Sequence, residues 1–248
     1  GVSALSGEGL RYDLKLVYRD AQFYLTSVAV LLLAFSFALI YQPTGEHLTG
    51  TLDRWIVLVP LALYGLYLFL QHQETRGEGA ERGEREAVDG PAWRDWWTLF
   101  LGLLLVVAGV EMLLRTALWL GDTLGTPSFI WGATVVAAAT SLPDAVISVR
   151  GARRGDGDLS MGNVLGSNIF DLLVAIPAGV LVAGEAPVDF GVAAPLMGFL
   201  TLATIALFAF MRTRLRLTRT EGVLLLVLYA AFVGWLILET VGVTQWAR

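Results

Sequence analysis

The sequence has no cysteine, a single lysine and two histidines among its 248 residues. The missing cysteines exclude a disulfide framework and a thiolate metal site. With Lys15 as the only lysine and a formal net charge of −5, the clustered basic surface that holds nucleic acid is absent too. His47 and His72 fall in or beside expected loops with no visible partner, which leaves nothing to suggest zinc or copper. Charged residues make up only 16% of the chain, and long stretches carry none. What is present is apolar: 56% of residues are hydrophobic and the mean hydropathy is +0.65. That exceeds an ordinary soluble domain.

A helix crossing a bilayer needs about 20 mostly apolar residues. Seven stretches qualify: Phe23–Tyr41, Trp55–Leu70, Trp96–Leu120, Ser128–Val149, Ser160–Val182, Val188–Met211 and Gly222–Thr240. The second is short and holds Pro60. Trp55, Trp93, Trp96, Trp97 and Trp246 flank spans, as an interfacial aromatic belt does. The expected fold is all-α, a membrane protein of about seven transmembrane helices.

The basic residues fall in alternate loops. Arg11, Lys15 and Arg19 precede the first span; Arg76, Arg82, Arg85 and Arg94 follow the second; Arg150, Arg153 and Arg154 follow the fourth; Arg212, Arg214, Arg216 and Arg219 follow the sixth. The other side receives only Arg54, Arg115 and Arg248. This bias predicts a cell-membrane protein with its N-terminal end cytoplasmic and its C-terminal end outside. Residues 73–95 are expected to form a polar cytoplasmic linker, too poor in apolar residues over Gln73–Gly90 to build a core. It divides a two-span piece, residues 1–72, from a five-span piece, residues 96–248.

Ionisable groups inside a bilayer commonly cost about 3 kcal/mol or more and mark function. Here they concentrate in the fourth and fifth spans. Thr140, Asp144 and Ser148 are spaced i, i+4, i+8, and so are Asn163, Ser167 and Asp171. Each set lines one side of its helix. The intervening loop is short, so the helices form an antiparallel hairpin whose stripes can face each other. Pro143 has no N–H to give the carbonyl one turn earlier, near Ala139. A carbonyl freed at membrane depth is tolerated where it lines a polar cavity. Two carboxylates, several hydroxyls, an amide oxygen and carbonyls form a donor set for a hard cation such as Ca²⁺. The plain alternative is helix-packing glue: Gly162 and Gly166 make a small-xxx-small pair, and Asn163 can hydrogen-bond between helices. Glue does not explain two acids on facing stripes. Elsewhere, Glu111 and Arg115 read as a neutralised i, i+4 pair on the third span, Glu239 as an interfacial acid near the end of the last, and Asp158 or Ser160 as the cap of the fifth.

Residues 132–177, with "TSLPD" at 140–144 and "GSNIFD" at 166–171, resemble the second α-repeat of the cation/calcium exchanger superfamily. Asp144 after the proline, where many sodium/calcium exchangers have Glu, is closer to the potassium-dependent sodium/calcium exchangers and related prokaryotic antiporters. "ATS" at 139–141 replaces the commoner "GTS". The resemblance implies a ten-helix antiporter of two inverted five-helix repeats. Residues 1–72 would end the first repeat and residues 96–248 would form the second. The implied function is calcium-for-sodium exchange by alternating access, with potassium or protons as further ions and no cofactor. Thr140 and Asp144 would be calcium ligands, with a carbonyl from Ala137. Ser141, Ser167 and Asp171 would serve sodium, with Asn168 beside them. No second copy of either motif occurs, so the chain is expected to be the C-terminal part of an exchanger whose first α-repeat completes the site; the alternative is that two chains pair to complete it.

Three other readings compete. A proton/calcium exchanger would use Asp171 as proton carrier. An intramembrane aspartyl protease would use the bare GxGD pattern at Gly155–Asp158, but this lies in an Arg-rich loop, and Asp144 follows proline rather than tyrosine. A purely structural or assembly subunit would give no cation effect on stability. No enzymatic activity is expected.

Overall fold

A computed structural model of the chain describes residues 1–5, 10–13, 17–45, 48–79, 92–125, 131–213 and 215–240. Lys15, His47, Arg214, Trp246, Arg248 and residues 80–91 of the expected linker, with Arg82 and Arg85, lie outside the described residues; residues 92–95 of that linker are helical instead, opening a longer helix.

Nine α-helices are described: α1 (Val2–Leu5), α2 (Gln22–Tyr41), α3 (Leu58–Gly79), α4 (Ala92–Leu124), α5 (Ala137–Arg153), α6 (Gly157–Phe170), α7 (Ile176–Ala183), α8 (Phe190–Arg212) and α9 (Arg219–Thr240). Three π-helical turns extend them: Val17–Ala21 leads into α2, Gly132–Val136 into α5, and Asp171–Ala175 joins α6 to α7. α6 and α7 thereby form one continuous span. Four short strands are also described: β1 (Leu10–Arg11), β2 (Thr49–Asp53), β3 (Glu185–Asp189) and β4 (Arg216–Leu217).

Each expected span coincides with a long helical stretch, and six of these are long and apolar enough to cross a membrane. The exception is α3. Pro60 sits in its first turn, where a missing N–H costs nothing. The helix then runs through the polar residues 71–79, which dilute its hydropathy. Helices dominate because hydrocarbon offers no partner for a backbone N–H or C=O, so each span must satisfy its own. The hydroxyls obey the same rule. Thr26, Ser27 and Ser36 each donate to the carbonyl four residues earlier on α2, at 2.8–3.0 Å.

By packing, the chain forms two compact units: residues 1–71 with 144–248, and residues 72–143. In the first, α2 is central and packs on α8, α6, β2 and the π-turn at 171–175. Leu31, Leu165, Ile169, Leu173 and Met211 are almost fully buried there. A smaller cluster joins Ala34, Ala38, Leu52, Val57 and Val180.

The strands tie the ends of this unit together. β2 pairs antiparallel with β3, from Thr49↔Asp189 to Asp53↔Glu185. Gly50 lets β2 press against α2: a Cβ there would meet the Ala38 carbonyl at 2.5 Å. β1 pairs with β4. Gly157, at the start of α6, is met so closely by the Arg11 carbonyl that a side chain would clash. Beside it, burial and then the charge of Glu221 push the Tyr12 phenol above its usual range, so it stays neutral.

The second unit contains α4, which packs on the π-turn at 132–136. α4 has 33 residues, about 50 Å at 1.5 Å per residue. It opens with exposed Trp93, Trp96 and Trp97. Farther along, Arg115 Nε donates to Glu111 Oε1 at 2.7 Å, the expected i, i+4 pair. The repeat boundaries read from the sequence do not coincide with these units, because compactness records which residues touch whereas a repeat is a matter of symmetry.

Candidate cation site

The seven candidate site residues fall on two stretches, 137–144 and 167–171. In the second unit, Ala137 opens α5 directly after the π-turn. The Thr140 hydroxyl donates to the carbonyls of Val136 and Ala137, both at 3.1 Å. Thr140 and Ser141 are exposed on the surface of their unit. The carbonyl that Ala137 was expected to lend thus already accepts one hydrogen bond, and a second lone pair remains.

In the first unit, Asn163 on α6 fastens the two polar stripes together. Its Nδ2 donates to the Asp144 carbonyl and to the Ser148 hydroxyl oxygen, both at 3.1 Å. Ser148 is 2% exposed and Asp144 is half-buried. The antiparallel hairpin expected from the spacing is therefore made, and Asn163 holds it as an interhelical bridge. One turn on, Ser167 donates to the Val164 carbonyl at 3.3 Å, and Asn168 Nδ2 donates to the same carbonyl at 2.7 Å. Asp171 begins the π-turn and is exposed. The carboxylates of Asp144 and Asp171 lie within electrostatic reach of each other.

These bonds share one chemical consequence. Thr140, Asn163, Ser167 and Asn168 each direct a proton-bearing group at a backbone carbonyl of a helix. Within the first unit, the amide oxygens of Asn163 and Asn168, the Ser167 hydroxyl oxygen and the carboxylates of Asp144 and Asp171 are oxygen acceptors of the kind a hard cation takes.

One expected detail is corrected. α6 is capped by Asp156, whose side chain accepts from Leu159 N; neither Asp158 nor Ser160 caps it. Asp158 instead accepts from Asp13 N at 2.7 Å, because the close approach at Gly157 brings β1 beside it. Both acids of the Gly155–Asp158 stretch thus accept a backbone N–H. The π-turns were not foreseen, since their sequences, GATVV and DLLVA, differ in nothing obvious from ordinary apolar helix. Such turns recur at functional sites.

Fold and site together define a multi-pass helical membrane protein with an acid on each arm of an antiparallel helix hairpin. The chain belongs to the sodium/calcium exchanger protein family, whose profile matches residues 94–238; these are transporters, not enzymes. Over 149 residues it is 32% identical to the sodium/calcium exchanger MaX1 of Methanosarcina acetivorans, covering 59% of this chain and 42% of that protein. It is 37% identical to the human sodium/potassium/calcium exchanger 5 over 103 residues, 39% of this chain and 21% of the relative. The chain spans less than half the length of these relatives. Among solved structures, the sodium-calcium exchanger NCX_Mj superposes with TM-score 0.61 at 24% identity, covering 94% of this chain and 70% of the other. The H⁺/Ca²⁺ exchanger CAX gives TM-score 0.57 at 18% identity, covering 100% and 65%. These likenesses establish the helical exchanger fold.

Proposed function

We propose that this chain forms the second, cation-binding half of an antiporter that exchanges calcium for sodium by alternating access. The observation that carries the proposal is the Asn163 bridge. It holds α5 against α6, an arrangement in which the Asp144 and Asp171 carboxylates would face one ion. Thr140, Asp144 and the Ala137 carbonyl would take calcium; Ser141, Ser167, Asn168 and Asp171 would take sodium. Shared oxygens make the two ions compete, and competition couples their fluxes. Names of the relatives support sodium and calcium as the transported ions, with potassium as a further candidate.

Residues 96–248 would be one five-helix repeat and residues 1–72 the end of its inverted partner. Asp171 is exposed although it sits within an apolar span, and lipid cannot satisfy its charge. A first α-repeat with its own acid would cover this face and complete the ligand set. The basic loops support a cytoplasmic N-terminal end and an outer C-terminal end in the cell membrane.

The test is Asp144→Asn in the full-length protein reconstituted into vesicles. Sodium-driven uptake of radiolabelled calcium should vanish. Uptake that persists at the wild-type rate would refute the assignment, and wild-type uptake driven by a pH jump without sodium would instead favour proton exchange.

A further inference from the structure

At the β2–β3 end of the first unit, α2 and α3 enclose a groove of about 450 Å³. Its floor is apolar: Val30, Leu33, Ala34 and Phe37 of α2, with Val59 and Pro60 of α3. Its mouth is polar and aromatic: Tyr41, Gln42, Asp53 and Trp55. Val30 to Tyr41 spans about 16 Å at 1.5 Å per residue, close to half of a hydrocarbon core about 30 Å thick. The groove therefore runs the depth of one leaflet, with Trp55, 78% exposed, at the level of the headgroups.

The chemistry of the mouth is selective. Asp53 Oδ1 accepts from Trp55 N and Ile56 N, both at 3.0 Å. Its Oδ2 has one long contact, with Gln42 Nε2 at 3.4 Å. A carboxylate only accepts, so Gln42 turns its amide N–H groups to Asp53 and keeps Oε1 as a further acceptor. No cation among the described residues pairs with Asp53. Glu185 stands opposite it on the β2–β3 ladder and adds a second negative charge. The neighbouring Arg54 lies against Gly184 instead, where an added Cβ would meet its Nη2 at 3.2 Å, and it does not line the groove. An unpaired carboxylate beside two aromatic rings attracts a cation.

We infer that this groove is a lipid site: it takes one acyl chain of a phosphatidylethanolamine, whose ammonium sits on Asp53 and Gln42 beside Trp55 and Tyr41. A primary ammonium has three N–H donors, which match Asp53 Oδ2 and Gln42 Oε1. A choline headgroup has no N–H to give. An anionic headgroup without a cation meets like charge from Asp53 and Glu185. The apolar floor adds affinity without selecting the head. Neither Asp144 nor Asp171 lines the groove, so the site holds whether or not the exchanger reading does.

The experiment titrates the purified full-length protein in detergent with phosphatidylethanolamine or phosphatidylcholine of identical acyl chains. Native mass spectrometry counts the retained lipid on wild type, Asp53→Asn, Gln42→Leu and Val59→Trp. Asp53→Asn keeps an oxygen for the two backbone N–H groups and removes only the charge. Wild type should bind phosphatidylethanolamine at least about fivefold more tightly than phosphatidylcholine, and Asp53→Asn should make the two equal. Gln42→Leu should lower the preference by less. Val59→Trp, which narrows the groove, should weaken both lipids alike. Equal affinities in wild type, or an unchanged preference in Asp53→Asn, overturn the inference. Undiminished binding in Val59→Trp places the lipid elsewhere and overturns it too. So does a wild type that retains neither lipid, the result expected if another part of the full-length protein fills the groove. If Asp53→Asn does not fold, an unchanged preference in Gln42→Leu overturns the inference.

Discussion

α4 and the α6–α7 span would be hard to tell apart by hydropathy. Both are apolar enough, over enough residues, to cross a membrane. Yet none of the most apolar stretch of α4 is buried within the described protein, whereas 33% of that of the α6–α7 span is. The difference lies in side-chain size and polarity. α4 is rich in Leu and Val, with exposed Leu101, Leu103, Leu105 and Val107. The α6–α7 span carries Gly162, Gly166, Asn163, Ser167 and Asn168. Lipid tails are as apolar as leucine, so hydrophobicity gives no reason for one membrane helix to seek another. Small residues that allow close approach, and polar ones that find partners, supply that reason.

The comparison can be broken from either side. Ile169 is fully buried at 0% exposure, and Ile169→Ala should cost about 2–5 kcal/mol. Leu105 is 64% exposed, and Leu105→Ala should stay within about 0.5 kcal/mol. Thermal unfolding in detergent of the two variants checks this; equal losses would mean that α4 is packed as closely as α6. A middle-sized effect is expected of Asn163→Ala, which removes the bridge to Asp144 and Ser148. The loss should be about 1 kcal/mol, accompanied by a drop in sodium-driven calcium uptake greater than so small a loss of stability explains. Normal uptake in a folded Asn163→Ala protein would show that the hairpin holds its geometry without the bridge. The smallest effect is expected of Arg115→Gln. Arg115 and Glu111 are 78% and 55% exposed, and exposed i, i+4 pairs contribute about 0.3–0.5 kcal/mol. Its melting temperature should match wild type within error, and a fall of several degrees would reveal a partner for α4.

Much was legible along the chain. Runs of apolar residues gave the spans, because crossing hydrocarbon is a requirement on length and composition alone. The i, i+4, i+8 spacing of Asp144 and Asp171 with their neighbours placed the polar stripes, because helical periodicity is local. The boundary of α3 was less legible. Residues 71–79 are polar, yet they continue the helix, since a helix leaving the membrane needs no apolar side chains to persist. The cap of α6 was misplaced by two residues because Asp156, Asp158 and Ser160 are all competent caps. Only the approach of Arg11 to Gly157 selects among them.

The sequence by itself determined that this is a multi-pass membrane protein, where its polar faces lie, and which acids they carry. Those properties follow from transfer energies and from the fixed pitch of a helix, which act residue by residue. Tertiary structure alone decided that Asn163 fastens α5 to α6 and that α2 takes the centre of the first unit, against α6 and α8. Each of these depends on which helices touch, and helix contacts in a bilayer are set by shape and by paired polar groups distant along the chain.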